Sequence, residues 1–245
     1  MVDGIGERLA AVTRSFADIL DLGCFDGAFP APAGARIARV DSGYGFARRA
    51  GGVQADEDRS PFADESFDLV VSAGVLDQVN DLPGALALTR RVLRPDGLFL
   101  GAFLGAGSLS TLRGVLLDAE TEPAARLHPQ VDVRSAGDLL ARAGLALPVA
   151  DVETLTVRYA GFGRLLADLR GMAGTSLLAD RAPLRRDALA RAAEGFAARA
   201  DADGRTAEQF VIVFLTGWAP APSQPASARR GSATASLSDA LRPRR

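Results

Sequence analysis

The sequence predicts an α/β protein, a nucleotide-binding sandwich on a mostly parallel sheet, and three stretches carry that prediction. Residues 67–72, Phe-Asp-Leu-Val-Val-Ser, are apolar on both faces, as a strand inside a parallel sheet must be. Asp81-Leu82-Pro83 then opens a helix, with proline in its first turn. Leu82, Leu86 and Leu93 mark its inner face, and Arg94-Pro95-Asp96-Gly97 ends it before a buried strand over 98–104. Strand, helix and strand in this order make a βαβ unit with a right-handed crossover. Upstream, Ile19-Leu20-Asp21-Leu22-Gly23 is a short buried strand running into a glycine turn.

The other elements follow from periodicity. Ile5, Leu9, Val12 and Phe16 recur at helical spacing, predicting a helix over 5–17. Short strands are expected at 36–41 and 53–55, helices at 108–126 and 135–143, and a strand at 152–159. Helices at 162–172 and 184–200 come next, the latter with Leu184, Ala188, Ala192 and Phe196 on one face. Asp203-Gly204 turns the chain into a final apolar strand over 210–218. From Pro220 the composition shifts to Pro, Ser, Ala and Arg, which predicts a disordered tail over 220–245 with a short helical element at 237–241. The expected organisation is an N-terminal helix (1–17), one domain (18–219) with helical insertions after residue 104, and the tail.

Composition narrows the function classes. In 245 residues, 48% are hydrophobic and 24% charged, enough apolar material for a sizeable core. The net charge of −2 gives no bulk field favouring nucleic acid. All 28 basic residues are arginine, a compositional bias rather than a functional signal. Cys24 is the only cysteine and His128 the only histidine, so an intrachain disulfide and a Cys/His metal site are excluded. The sequence has neither a signal peptide nor a run of apolar residues long enough to span a bilayer, and a cytoplasmic location is expected.

The candidate chemistry lies in turns that follow strands. Asp21-Leu22-Gly23-Cys24-Phe25-Asp26-Gly27 places glycines where the backbone can turn sharply and approach a ligand, beyond the carboxyl end of the first strand. Asp41 closes the second strand, where a carboxylate accepts ribose hydroxyls; taken alone, it is as easily a turn residue. Asp56-Glu57 can accept from an adenine amino group or belong to a solvated acidic loop. Ser72, ending the strand over 67–72, completes the candidate set of Asp21, Gly23, Gly27, Asp41, Asp56, Glu57 and Ser72. No residue stands out as catalytic. There is no Gly-x-Ser-x-Gly elbow, and Gly23–Gly27 does not spell the Gly-x-Gly-x-x-Gly of nicotinamide enzymes. His128, before Pro129, reads as a surface loop residue.

Acidic residues after successive strands, the stretch Pro61-Phe62-Ala63-Asp64-Glu65-Ser66-Phe67-Asp68 and the Arg94-Pro95-Asp96-Gly97 turn together resemble the class I S-adenosylmethionine-dependent methyltransferases, type 11 subgroup. Asn80-Asp81-Leu82-Pro83-Gly84, Val157-Arg158-Tyr159, Asp168-Leu169-Arg170-Gly171 and Leu215-Thr216-Gly217-Trp218 narrow this. They resemble the complex I assembly methyltransferase-like family, which includes an arginine hydroxylase, and the malonyl-carrier-protein methyltransferase of biotin synthesis. The resemblance implies a Rossmann-like sandwich with an antiparallel C-terminal strand and S-adenosylmethionine as cofactor. It implies that Asp21, Gly23 and Gly27 surround the methionine moiety, Asp41 the ribose and Asp56 the adenine. It further implies a small-molecule or protein acceptor, with a complex I subunit as candidate partner and a peripheral position at the inner membrane.

Four departures from that pattern bear on activity. Phe25 stands where the family has its middle glycine, and Pro30 and Pro32 fall where the first crossover helix should run. The connection from Gly27 to Asp41 is cramped against the ~10–12 residues a parallel crossover needs. Asp77-Gln78 replaces a His or Gln followed by an aromatic residue, and the chain starts later than its relatives. Phe25 and the two prolines motivate a rival reading, a non-catalytic assembly factor that kept the fold and lost the cofactor.

Overall fold

The start of the first strand is fixed by charge. In the computed structural model, which describes residues 1–122, 124–179 and 182–225, the Asp68 carboxylate accepts from the N–H groups of Ala17 (2.8 Å) and Asp18 (3.0 Å). Asp18 in turn accepts from Arg36 Nε (2.7 Å) and Arg94 Nη1 (2.8 Å). Two residues of the family-like stretches, Asp68 and Arg94, therefore act at the amino ends of the strands, where they pin β1 (Asp18–Leu22) to β2 (Arg36–Asp41), β4 (Phe67–Ala73) and β5 (Leu93–Leu104).

The seven strands form one sheet in the order β3-β2-β1-β4-β5-β7-β6, with β3 spanning Val53–Gln54, β6 Ala146–Tyr159 and β7 Thr206–Trp218. β3, β2, β1, β4 and β5 are parallel neighbours; β7 runs antiparallel to β5 and to β6. This is the expected mostly parallel sheet with antiparallel C-terminal pairing. β5 takes up the Arg94-Pro95-Asp96-Gly97 turn as an irregularity: Leu93 pairs with Phe67 and Leu98 with Leu69, while Asp96 adopts a left-handed φ of 64°.

α3 (Leu82–Val92) and α5 (Val133–Arg142) cover one face over Leu20, Val70, Leu86, Phe99, Phe103 and Leu140. Each is capped by an aspartate: Asp81 accepts from Gly84 N–H (2.9 Å), Asp132 from Arg134 (2.9 Å) and Ser135 (3.0 Å). The opposite face is covered by α1 (Val2–Ala10), through Ile5, and by Phe29 from the β1–β2 connection. α4 (Ser110–Ala119), α6 (Phe162–Gly171) and α7 (Arg186–Ala197) form a second apolar cluster around Leu165, Phe162 and Phe196 beside the long antiparallel β6–β7 pair.

Several boundaries differ from expectation. The N-terminal helix ends at Ala10, because residues up to Ala17 must extend to reach Asp68; Val12 and Phe16 still join the apolar face, outside the helix. The helix expected over 108–126 stops at Ala119, ahead of Pro123. The helix expected from Leu184 starts at Arg186 after Pro183, and Leu184 is exposed, while Ala188, Ala192 and Phe196 are buried as expected. α2 (Tyr44–Ala50) was not expected at all. Residues 220–225 are held to the body by Gln224 Nε2, which donates to Asp96 Oδ1 (3.0 Å) and Ala219 O (2.9 Å). The element expected at 237–241 lies outside the described residues. No helix among the described residues is long and apolar enough to cross a membrane.

Candidate functional site

β1, β2 and β4 end together, and the residues at their carboxyl ends form the candidate site. The β1–β2 connection holds no helix; Pro30 and Pro32 remove N–H donors, and the chain runs irregularly from Cys24 to Ala35. Phe29, 4% exposed, does the packing a crossover helix would do. Gly23 has φ +72°, and a Cβ there would lie 2.3 Å from Val75 Cγ1. Gly23→Ala is therefore expected to destabilise the protein by about 2 kcal/mol, measurable by chemical denaturation; an unchanged midpoint would contradict the close approach.

Asp21 is 3% exposed, and its Oδ2 has no hydrogen-bond partner. Arg39 Nε lies 3.6 Å away, near enough for charge attraction but too far for a hydrogen bond, so the guanidinium Nε is unpartnered too. Burial pushes the Asp21 carboxyl up to about 6 despite Arg39, and the carboxylates of Asp41 and Asp26 add to the rise. Arg39, which interrupts β2 in the sequence, also reaches Ala50 O (3.4 Å) and Gly27 O (3.5 Å), bracing the turn. Nothing in the sequence signalled that role.

Asp41, 7% exposed, accepts from Phe25 N–H at Oδ2 (2.9 Å) and from Gly43 N–H at Oδ1 (2.8 Å). Of the acidic pair after β3, Glu57 is the buried one, with Oε1 unpartnered, while Asp56 is exposed and 4.0 Å from Arg59. Burial also raises the Glu57 carboxyl, with Asp41 contributing. Ser72 is fully buried with an unpartnered hydroxyl. Asp21, Asp41 and Glu57 thus form an electrostatically linked row of buried carboxyls, and Asp56 stands outside it.

A cavity of about 60 Å³ lies at the Asp21 end of this row, lined by Asp21, Gly23, Phe25, Ile5, Phe29 and Val71 among others. Cys24 borders it too; burial and the carboxylates of Asp21 and Asp41 push its thiol up to about 12, which makes it an unreactive packing group. Asp77, beyond β4, has a buried Oδ1 without a partner, and burial raises its carboxyl to about 7. His128 lies far along the chain in a loop, its Nε2 accepting from Leu177 N–H (2.9 Å). No cluster of metal-ligating side chains occurs among the described residues.

Comparison with known proteins places these features in a family. Residues 20–101 match the model of the methyltransferase domain. The chain is 34% identical over 252 residues to human mitochondrial arginine-hydroxylase NDUFAF5, covering 96% of this chain and 73% of that protein. It is 37% identical over 193 residues to the zebrafish protein of the same name, covering 76% of this chain and 60% of that protein. Malonyl-[acyl-carrier protein] O-methyltransferase of Laribacter hongkongensis is 34% identical over 180 residues, covering 72% of this chain and 59% of that protein. The chain thus spans less than two thirds of the length of several of these relatives. Among solved structures, the YcgJ protein of Bacillus subtilis superposes with a TM-score of 0.64 at 15% identity, covering 90% of this chain and all of that one, a likeness of fold. With a 34% match running through nearly its whole length and the sheet order described above, the chain belongs to the class I S-adenosylmethionine-dependent methyltransferase family, in the group that contains NDUFAF5.

Proposed function

We propose that the chain binds S-adenosylmethionine at the carboxyl ends of β1 and β2 and acts as a methyltransferase. The observation that carries this reading is the pair of buried carboxyls, Asp21 and Glu57, each with an oxygen that no protein donor satisfies. Burying such a group unsatisfied is costly, and these two sit on either side of Asp41 in a family whose ligand is a nucleoside. The acceptor set fits a cofactor of that kind: Asp21 for the methionine amine, Asp41 for the ribose hydroxyls and Glu57, in place of Asp56, for the adenine amine. Gly23, Gly27 and Ser72 complete the wall.

The bound cofactor would supply an electrophilic methyl group, and the chain's part is to hold donor and acceptor in line. That division of labour agrees with the lack of an obvious acid/base pair. Titration calorimetry with S-adenosylmethionine tests the reading. Wild type is expected to bind, and Asp41→Ala to lose affinity by about ten- to a hundredfold. Circular dichroism of the unliganded variant separates lost binding from lost folding. No heat at millimolar ligand, from folded wild type and from every folded variant tested, would sink the reading.

Similarity to NDUFAF5 over 96% of the chain favours a second reading, arginine hydroxylation during complex I assembly. It predicts that a deletion strain lacks complex I activity and that one subunit loses the mass of a single oxygen. Normal complex I in that strain rules it out.

A further inference from the structure

The row of carboxyls fits a nucleoside cofactor, but the cavity at its Asp21 end does not. Pockets that enclose small ligands hold about 300–1,000 Å³, and the cavity here is about 60 Å³. Phe25 lines the cavity, and its ring lies 4.7 Å from that of Phe46 on α2, tilted by 45°. Phe46 itself packs over Gly43, where a Cβ would meet its ring at 2.8 Å and Asp41 Oδ1 at 3.1 Å. The two rings therefore come from the two segments whose N–H groups hold Asp41, one at each carboxylate oxygen.

The backbone under Phe25 is strained. It is the first central residue of a turn closed by Gly27 N–H to Cys24 O (2.7 Å), with φ 49°. A positive φ at that place favours glycine, and a bulky side chain there must be held by other contacts. Its contacts include the Phe46 ring and the Asp41 hydrogen bond. Both reach the end of β2 and the helix that follows it, and a Phe25 turned to a negative φ would give up the hydrogen bond to Asp41 Oδ2. The segment after Cys24 is irregular, and no crossover helix braces it.

We propose that Phe25 is a self-occupying plug of the nucleoside cleft: its ring, seated on Phe46, must swing out before the cofactor can reach Asp41 and Asp21. This rests on the S-adenosylmethionine reading above and adds to it a residue that sets cofactor affinity. When only the swung-out state is competent, the apparent dissociation constant is the intrinsic one divided by the population of that state. Removing the ring raises that population towards one. Phe25→Gly also suits the left-handed backbone, so the turn itself is kept.

The test is calorimetric titration of wild type, Phe25→Gly and Phe46→Ala with S-adenosylmethionine and with S-adenosylhomocysteine, each protein first shown to melt cooperatively. Phe25→Gly is expected to bind both ligands at least about tenfold more tightly than wild type, and Phe46→Ala to shift affinity in the same direction by less. Equal affinity for wild type and Phe25→Gly overturns the plug while the cofactor reading stands. Weaker binding by Phe25→Gly also overturns it, and assigns the ring to a contact with the ligand instead. If no folded variant binds either ligand, the cofactor reading itself is lost and the plug with it.

Discussion

Glu208→Ala is expected to destabilise the protein by about 3 kcal/mol. Glu208 is fully buried on β7, and its carboxylate accepts from Thr111 N–H (3.1 Å), Leu112 N–H (2.7 Å) and Gln209 N–H (3.0 Å). Thr111 and Leu112 belong to the first turn of α4, whose preceding residue, Leu109, is left-handed and offers no capping side chain. The helix therefore takes its cap from a strand nearly a hundred positions later in the chain. Alanine leaves free N–H groups at a buried helix start, without water to replace the acceptor. For a chain of this size the loss should lower the melting temperature by about 6–12 °C. Glu208→Gln keeps one acceptor oxygen and should lose less. A melting temperature for Glu208→Ala within a degree or so of wild type would show that α4 does not depend on this cap.

The second large effect is a pH dependence set by Asp77. Burial holds its carboxyl at about 7, with only its own N–H pulling the other way and no cation beside it. In the unfolded chain the group titrates near 4. Between about pH 4 and pH 7 the folded state keeps a proton that the unfolded state has released, so Asp77 makes stability fall as pH rises through that window. Above about 7 both states are ionised and the full penalty, up to about 4 kcal/mol, persists. Asp77→Asn should remove it: the variant gains on wild type as pH increases from 4 to 8. Asp21, raised to about 6, adds a slope of the same sign in both proteins and cancels in the comparison. Parallel stability profiles for the two proteins would refute the assignment.

The site was legible in the sequence to the extent that its residues lie at strand ends. Asp21 lies in the last residues of β1 before Gly23 and Asp41 closes β2, as the short buried strand and the strand over 36–41 place them, and β2 has the expected limits. Pro30 and Pro32 announced the missing crossover helix, since they remove the donors such a helix needs. The choice between Asp56 and Glu57 was not legible: neighbouring loop residues share composition, and only the packing of the loop beside Asp41 turns Glu57 inward. Arg39 was not singled out, because the sequence does not say that Gly27, Ala50 and Asp21 converge on it. α2 escaped for another reason. Seven residues flanked by glycines show too little apolar periodicity, and the helix stands through contacts with β2 and β3.

By itself, then, the sequence determined which segments are strands, where the parallel βαβ unit lies, and that acidic residues and glycines end the first strands. These follow from local patterns of burial and backbone preference, which act over a few residues. The tertiary structure decided what those residues meet. Asp68 and Arg94 became staples at the amino ends of the sheet, Glu208 the cap of a distant helix, and Phe25 a wall of the cavity beside Asp21, seated on Phe46. Each depends on groups far apart in the chain, brought together by sheet order and packing, and a hydrogen bond or a ring contact is specified only once both partners have a fixed place.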